Sequence, residues 1–357
     1  MKIDIKKIVI GLVILGLVIS FPFLFNNAKQ GKDTDATSKG DTTETASDGD
    51  KGEDEQVKIG ILQLVSHPAL DAIAQGIYDG LAEAGYKNGE KASIDLENAQ
   101  GDQGNLATMT QTLIAKDPDV LVGITTPAAQ TLANAEKTTP VIMSAVTYPE
   151  EAGLVASENK PGGNVTGVSD RTPVKEQIAQ IKEVLPDAET IGVLYTASED
   201  NAATQAKEAK QAIEELGLKS ETKTVSNTTD LQQISEQLAS QVDAIYVPID
   251  NGIASAMVTL VNVTDRYKIP VFPSADTMVK DGGFMGLGVD QYGVGKQTAE
   301  VIVDILKGEK PSDYPIKITN ATTTYVNEEK AKELGITIPD DLLKDAEIVV
   351  PSEEGGN

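Results

Sequence analysis

From Val57 onward, short runs of clustered apolar residues alternate with segments in which apolar residues recur every three or four positions. Val57–Leu64 is apolar and β-branched and predicts a strand. Pro68–Ala84 carries Leu70, Ile73, Ile77 and Leu81 at helical spacing and is closed by Gly85. Ala92–Asn98 predicts the next strand. Gly104–Lys116 predicts a helix with Leu106, Met109, Leu113 and Ile114 on one face. Val120–Ile124 and Val141–Ala145 read as strands. Between them, Pro127–Glu136 reads as a helix with proline in its first turn, where its missing N–H costs nothing. This alternation predicts a parallel sheet with helices on both faces.

The order then repeats. Lys175–Val184, Asn201–Leu216, Asp230–Gln241 and Gly252–Tyr267 read as helices. Thr190–Tyr195, Glu221–Val225, Ala244–Val247, Val271–Phe272 and Phe284–Val289 read as strands. Tyr292–Lys307 is a helix stopped by Gly308, Ile316–Val326 a long β-rich stretch, and Glu328–Leu334 a last short helix. The repeat extends to wording. Ile59-Gly60-Ile61-Leu62, Asp119-Val120-Leu121-Val122 and Pro140-Val141-Ile142-Met143-Ser144-Ala145 answer Ile191-Gly192-Val193-Leu194, Asp243-Ala244-Ile245-Tyr246 and Pro270-Val271-Phe272-Pro273-Ser274-Ala275. Two such units predict two Rossmann-like, doubly wound lobes facing each other across a cleft, a favourable place for a small molecule. The chain is expected to cross between lobes near 163–168, near 286–290 and around 316–324, giving a three-strand hinge. The first lobe is then 57–168 plus about 290–315, and the second 169–289 plus about 320–350.

Ahead of the folded part, Lys2, Lys6 and Lys7 precede an apolar run, Ile8–Phe25, broken only by Gly11, Gly16, Ser20 and Pro22. Residues 1–25 read as an uncleaved membrane anchor in preference to a removed signal peptide; either one places the rest outside the cytoplasm. Residues 26–56 are acidic, polar and nearly free of apolar side chains, and read as a disordered tether.

Composition narrows the chemistry. The net charge of −25 argues against nucleic acid as a partner. There is no Cys, so thiol catalysis and Cys-ligated metals are excluded, and a single His, His67, rules out a metal site built on histidines. No G-x-S-x-G elbow or P-loop is present, and no carboxylate pair stands out. The expectation is therefore a protein that catalyses nothing and carries no cofactor or metal. Arginine occurs only as Arg171 and Arg266, so a ligand carboxylate must be met by hydroxyls, amides and backbone N–H groups.

Ligands of open parallel sheets bind beyond the carboxyl ends of the strands. In the first lobe those ends offer Gln63, Leu64, Ser66, His67 and Pro68, then Thr125 and Thr126, then Ser144 and Val146. In the second they offer Tyr195, Ser198 and Asn201, then Asp250 and Asn251, then Ser274 and Asp276. Other roles stand beside the ligand-binding one. Thr125, Thr126, Ser198, Asp250, Ser66 and His67 are also placed to cap helices. His67 also reads as an exposed loop residue, Tyr195 as a packing residue, and Arg171 as a hinge support. Thr125-Thr126 in one lobe answers Asp250-Asn251 in the other. That asymmetry suggests a ligand with a negative and a positive end.

At these residues the chain resembles a known family. VKIGILQLVSHPALDAIAQGIYDGLAEAGY, DVLVGITTPAAQTLA, PVIMSAVTYP, GGNVTGVSD, IGVLYTASEDNA and LGITIPDDLLKDAEIV are similar to the ABC-transporter substrate-binding proteins, and more narrowly to the tryptophan-type members of Gram-positive bacteria. The resemblance implies a type I periplasmic-binding-protein fold. It also implies an aromatic amino acid ligand, chiefly L-tryptophan, with phenylalanine or tyrosine as alternatives, delivered to a permease driven by an ATPase. The ammonium is expected at Asp250, with Asp276 as the alternative the loops offer, and the carboxylate at Thr125, Thr126, Ser198 and Asn201. The ring lies against Leu64, Pro68 and Tyr195, and the receptor is a monomer tethered to the cell membrane. A sugar, nucleoside or peptide ligand, or a surface sensory role, is the alternative.

Overall fold

The repeated wording has a physical cause that a computed structural model, describing residues 56–319 and 322–350, makes visible. The predicted anchor and most of the predicted tether lie outside the described residues. The first strand, β1 (Val57–Gln63), leads through α1 (Pro68–Glu83), β2 (Ala92–Asn98) and α2 (Gln103–Ile114) to β3 (Val120–Ile124). Then come α3 (Thr126–Ala135), β4 (Val141–Ser144) and β5 (Val165–Ser169). At the start of β3, the Asp119 carboxylate accepts from the Lys58 N–H at 2.9 Å. Its own N–H donates to the Lys58 carbonyl. Asp243 treats Thr190 in the same reciprocal way in the second copy. The two prolines of the repeat offer carbonyls to Leu121 and Ile245. A Cβ at Gly60 or Gly192 would press on Leu113 and Leu121 or on Leu238, so each glycine lets a helix lie close on its sheet.

Past β5 the chain forms α4 (Val174–Val184), β6 (Thr190–Thr196), α5 (Asp200–Glu215) and β7 (Lys219–Val225). It continues with α6 (Leu231–Ala239), β8 (Ala244–Val247), α7 (Asn251–Ala254), α8 (Met257–Tyr267), β9 (Val271–Pro273), α9 (Asp276–Lys280) and β10 (Met285–Val289). It then runs through α10 (Gln291–Leu306), β11 (Lys317–Ile318), β12 (Thr322–Val326), α11 (Glu328–Leu334), α12 (Asp340–Leu343) and β13 (Glu347–Ile348). One sheet has the order β11-β5-β4-β3-β1-β2, and a second has the order β7-β6-β8-β9; both are parallel. A third sheet, β10-β12-β13, contains an antiparallel pair, β10 with β12.

The sheets record three passages between the halves: after β5, between β10 and α10, and between β11 and β12. The predicted β-rich stretch 316–326 is thus two short strands serving different sheets. The predicted helix 252–267 is also two, α7 and α8, because Ala256 leaves helical geometry at φ −128°. Each half has its own apolar interior. Ile61, Leu121, Ile142 and Val301 belong to one; Ile178, Val193, Tyr246 and Phe284 belong to another. Among the described residues no helix is long and apolar enough to cross a membrane.

Candidate functional site

The carboxyl ends of β1 and β3 face those of β6, β8 and β9 across a cleft, and the helices that follow start at its walls. Between them lies a narrow space lined by His67, Leu70, Thr125, Asp170, Asp250 and Asn251, with Ala254, Ala275 and Met278 adding apolar wall. With the lobes closed, the free volume there is only about 20 Å³, far below the ~300–1,000 Å³ typical of small-molecule sites. Asp170 and Gln291, which follow β5 and β10, close it on the hinge side.

Asn251 joins the walls. Its side-chain N–H groups reach Thr125 Oγ1 at 3.2 Å and Glu199 Oε2 at 2.6 Å. Its carbonyl oxygen faces His67 Nε2 at 3.3 Å. That orientation makes Nε2 the protonated ring nitrogen of His67. His67 is 7% exposed, and burial lowers its pKa, so the ring is neutral. At the rim, Gln130 donates to Asp200 at 3.1 Å and the Tyr148 hydroxyl to Glu208 at 2.6 Å, so the lobes are closed on one another.

The second-lobe wall is acidic. Glu199 accepts from the backbone N–H groups of Asn251 and Gly252 and from the Asn251 side chain. Asp250 accepts from the Thr196 N–H and hydroxyl and from the Ile253 N–H. Burial pushes the Glu199 carboxyl up to about 8, and the neighbouring Asp250 pushes the same way. Burial also raises Asp250. Asp170 rises to about 6, again from burial, although it accepts a bond from the Thr147 hydroxyl.

Buried polar atoms without a hydrogen-bond partner cluster on the predicted residues. His67 Nδ1, Thr126 Oγ1, Asn201 Oδ1 and Asp276 Oδ1 are among the few in the described residues. Such atoms are costly unless a ligand or water meets them. Thr125 begins α3 but its side chain makes no cap bond; it accepts from Asn251 instead. Asp250 does cap α7, through the Ile253 N–H.

Other predicted residues have a different occupation. Ser144 Oγ bonds Thr298 Oγ1 at 2.7 Å, and Ser274 Oγ bonds the Val247 carbonyl and the Tyr246 hydroxyl. Both serines face their own lobe's interior and not the cleft, because side chains at a strand's end alternate inward as readily as outward. Tyr195 packs against the second-lobe interior, the packing role of the two it had. Gln63 is spent on the Val65 carbonyl and Asp71, and Val146 is fully buried. Ser66 is exposed and bonds Asp71; Pro68 and Ser198 are also exposed. Leu64 and Ser198 line a second hollow of about 190 Å³ with Glu199. Asn201 gives its N–H to the Ile249 carbonyl and presents an oxygen, which suits a donor and not a carboxylate. Asp276 pairs with Lys280 through one oxygen. Arg171 pairs with Glu158, donates to the Thr147 carbonyl and lies 5.0 Å over the Tyr148 ring, so it supports the hinge.

Sequence reasoning missed Glu199, Asp170, Leu70 and Met278. The signal for Glu199 was its place in the strand-end loop Tyr195–Asn201. Nothing in the sequence separated it from the exposed acids around it.

The sequence profile of the ABC transporter substrate binding protein family matches residues 58–350. A tyrosine-binding protein of Clostridioides difficile is 35% identical over 78% of this chain and 81% of its own length. Among solved structures, the ABC domain in complex with L-Trp from Streptococcus pneumonia is 48% identical with a TM-score of 0.81, covering 83% of this chain and 100% of that one. A ligand-free, open substrate-binding protein with adhesive properties from Clostridium difficile is 35% identical with a TM-score of 0.64, covering 83% and 100%. The lower score against an open structure accords with the bonds that close the cleft here.

Proposed function

The chain belongs to the family of ABC transporter substrate-binding proteins, and from that premise we propose that it captures an aromatic amino acid, foremost L-tryptophan, between its lobes for import. The observation that carries this reading is the likeness, at 48% identity over the full length of that chain, to a domain holding L-Trp. The cleft agrees in chemistry. Thr125 offers a hydroxyl for a carboxylate, and Leu70, Ala254, Ala275 and Met278 supply apolar wall for a ring. The acids of the second lobe attract an ammonium. A binding protein of this family hands its ligand to a permease powered by an ATPase and catalyses nothing itself. Work of that kind is done outside the cytoplasm, with the run Ile8–Phe25 as the proposed tether and a monomer as the working form.

Calorimetry on the full chain with L-tryptophan, L-tyrosine and L-phenylalanine tests the reading. One-site binding of at least one of them is expected. No heat with any of the three at millimolar concentration overturns it.

A further inference from the structure

His67 is the one histidine of the chain, and one of its ring nitrogens is left over. The residue stands at the N-cap position of α1, where a side chain commonly accepts from the first N–H groups of the helix, but it makes no such bond. Nε2 faces the Asn251 amide oxygen at 3.3 Å. Nδ1 is buried and meets no hydrogen-bond partner.

The orientation of Asn251 decides what Nδ1 can do. In the closed form Glu199 accepts from the Asn251 and Gly252 backbone N–H groups and, at 2.6 Å, from the Asn251 side chain. All three contacts are N–H donors, so Glu199 acts as an acceptor and turns the amide nitrogen toward itself. The amide oxygen is thereby turned to His67. That oxygen can only accept, which places the imidazole hydrogen on Nε2. Burial keeps the ring neutral, so Nδ1 carries a bare lone pair. A buried acceptor of this kind is costly unless a group entering the cleft donates to it.

The surroundings of His67 point to the donor. It lines the same narrow space as Leu70, Ala254, Ala275 and Met278, and Leu70 follows it by about one turn of α1. Ala254, Met257 and Val258 carry the apolar wall past His67 and Pro68 into an open groove of about 1,020 Å³. A ring laid along this wall passes beside His67. The indole of tryptophan brings an N–H and the phenol of tyrosine an O–H, whereas the phenyl ring of phenylalanine brings no donor.

We propose that His67 Nδ1 accepts a hydrogen bond from the ring N–H or O–H of the ligand, and that this makes the cleft select tryptophan and tyrosine over phenylalanine. The inference rests on the reading of the cleft as an aromatic amino acid site and names the residue that sets its preference. A site built around an N–H or O–H rejects an analogue lacking that group more strongly than apolar contact alone can, because the lone pair stays buried and unpaired. Glu199 and Asn251 are positioning residues for this acceptor. They belong to the second lobe and His67 to the first, so the acceptor is fixed only when the lobes meet.

Calorimetry on the full chain compares L-tryptophan with L-3-benzothienylalanine, which keeps the fused ring and carries sulfur in place of the N–H. The unmodified chain is expected to bind tryptophan about 10- to 100-fold more tightly, the worth of a buried acceptor left unpaired. His67→Phe should bring the two ligands level, chiefly by weakening tryptophan. Nitrogen-15 spectra of the single imidazole give a second readout. A neutral ring protonated at Nε2 is expected in the tryptophan complex, with Nδ1 shifted as an acceptor, and that shift should be absent with benzothienylalanine. Equal binding of the two ligands by the unmodified chain, or a ring protonated at Nδ1 in the tryptophan complex, overturns the proposal while the functional reading stands. If His67→Phe does not fold, the affinity ratio and the nitrogen-15 spectra of the unmodified chain decide. If no aromatic amino acid binds, the functional reading falls and the proposal falls with it.

Discussion

At the scale of single residues, Asn251 does more than any other side chain in the cleft. One amide satisfies Thr125 and His67 from the first lobe and Glu199 from the second. Its neighbour Asp250 is occupied by its own lobe, tying α7 to β6 through Thr196. Removing the Asn251 side chain strands three buried partners. Asn251→Ala is expected to cost about 1–3 kcal/mol of stability, read from the denaturant midpoint, because buried groups left unpaired pay their desolvation. It should also open the lobes, seen as a larger radius of gyration in small-angle scattering. An unchanged radius would remove Asn251 from the closing contacts.

At the scale of elements, the cleft depends on how α10 re-enters the first half. After β10 the chain enters α10, which lies along α1 at very short range. A Cβ at Gly295 would come within 2.1 Å of the Ile73 carbonyl oxygen, and one at Gly76 within 2.3 Å of the Tyr292 carbonyl oxygen. Backbone cannot yield as a flexible side chain does. Gly295→Ala is therefore expected to cost about 1–3 kcal/mol as an overpacked contact, measured by thermal unfolding. It should also disturb binding, because the cleft residues His67 and Gln291 stand at the starts of α1 and α10. A melting temperature equal to the parent's would show that the two helices separate at little cost.

At the scale of the whole molecule, the acidic cleft ties stability to pH. Burial pushes the folded-state Glu199 carboxyl up to about 8 from an ordinary 4.5, so the folded state is expected to hold more protons than the unfolded one between those values. Stability contributed by that proton is present at the acid end and lost as pH rises from about 4.5 to 8. Asp170 adds a loss in the same direction between 3.8 and about 6. Urea midpoints of the ligand-free protein should therefore fall over this range, and Glu199→Gln should flatten the decline. A midpoint that rises with pH from 5 to 8 would contradict the buried, uncompensated pair. L-tryptophan at saturating concentration should offset the loss, because a ligand bound only to the folded state stabilises it.

Much of the fold was legible because it rests on local periodicity and a repeated wording. The helical spacing of Leu70, Ile73, Ile77 and Leu81 predicted α1, and the twin Asp119 and Asp243 proved to hold equivalent strand starts. The strand-end rule brought Thr125, Asp250 and Asn251 into one cleft. It failed for Ser144, Ser274 and Tyr195, because the rule locates a loop and does not say which way its side chains turn. It passed over Glu199 because burial alone distinguishes that acid from exposed Asp200 beside it. Sequence by itself determined the two α/β units, the absence of histidine-rich or thiol chemistry and the polar character of the facing loops, since these follow from pattern and composition. Only the tertiary structure decided which polar atoms face each other across the cleft and which carboxylates lose water. Solvation and partnership belong to groups brought together from distant parts of the chain.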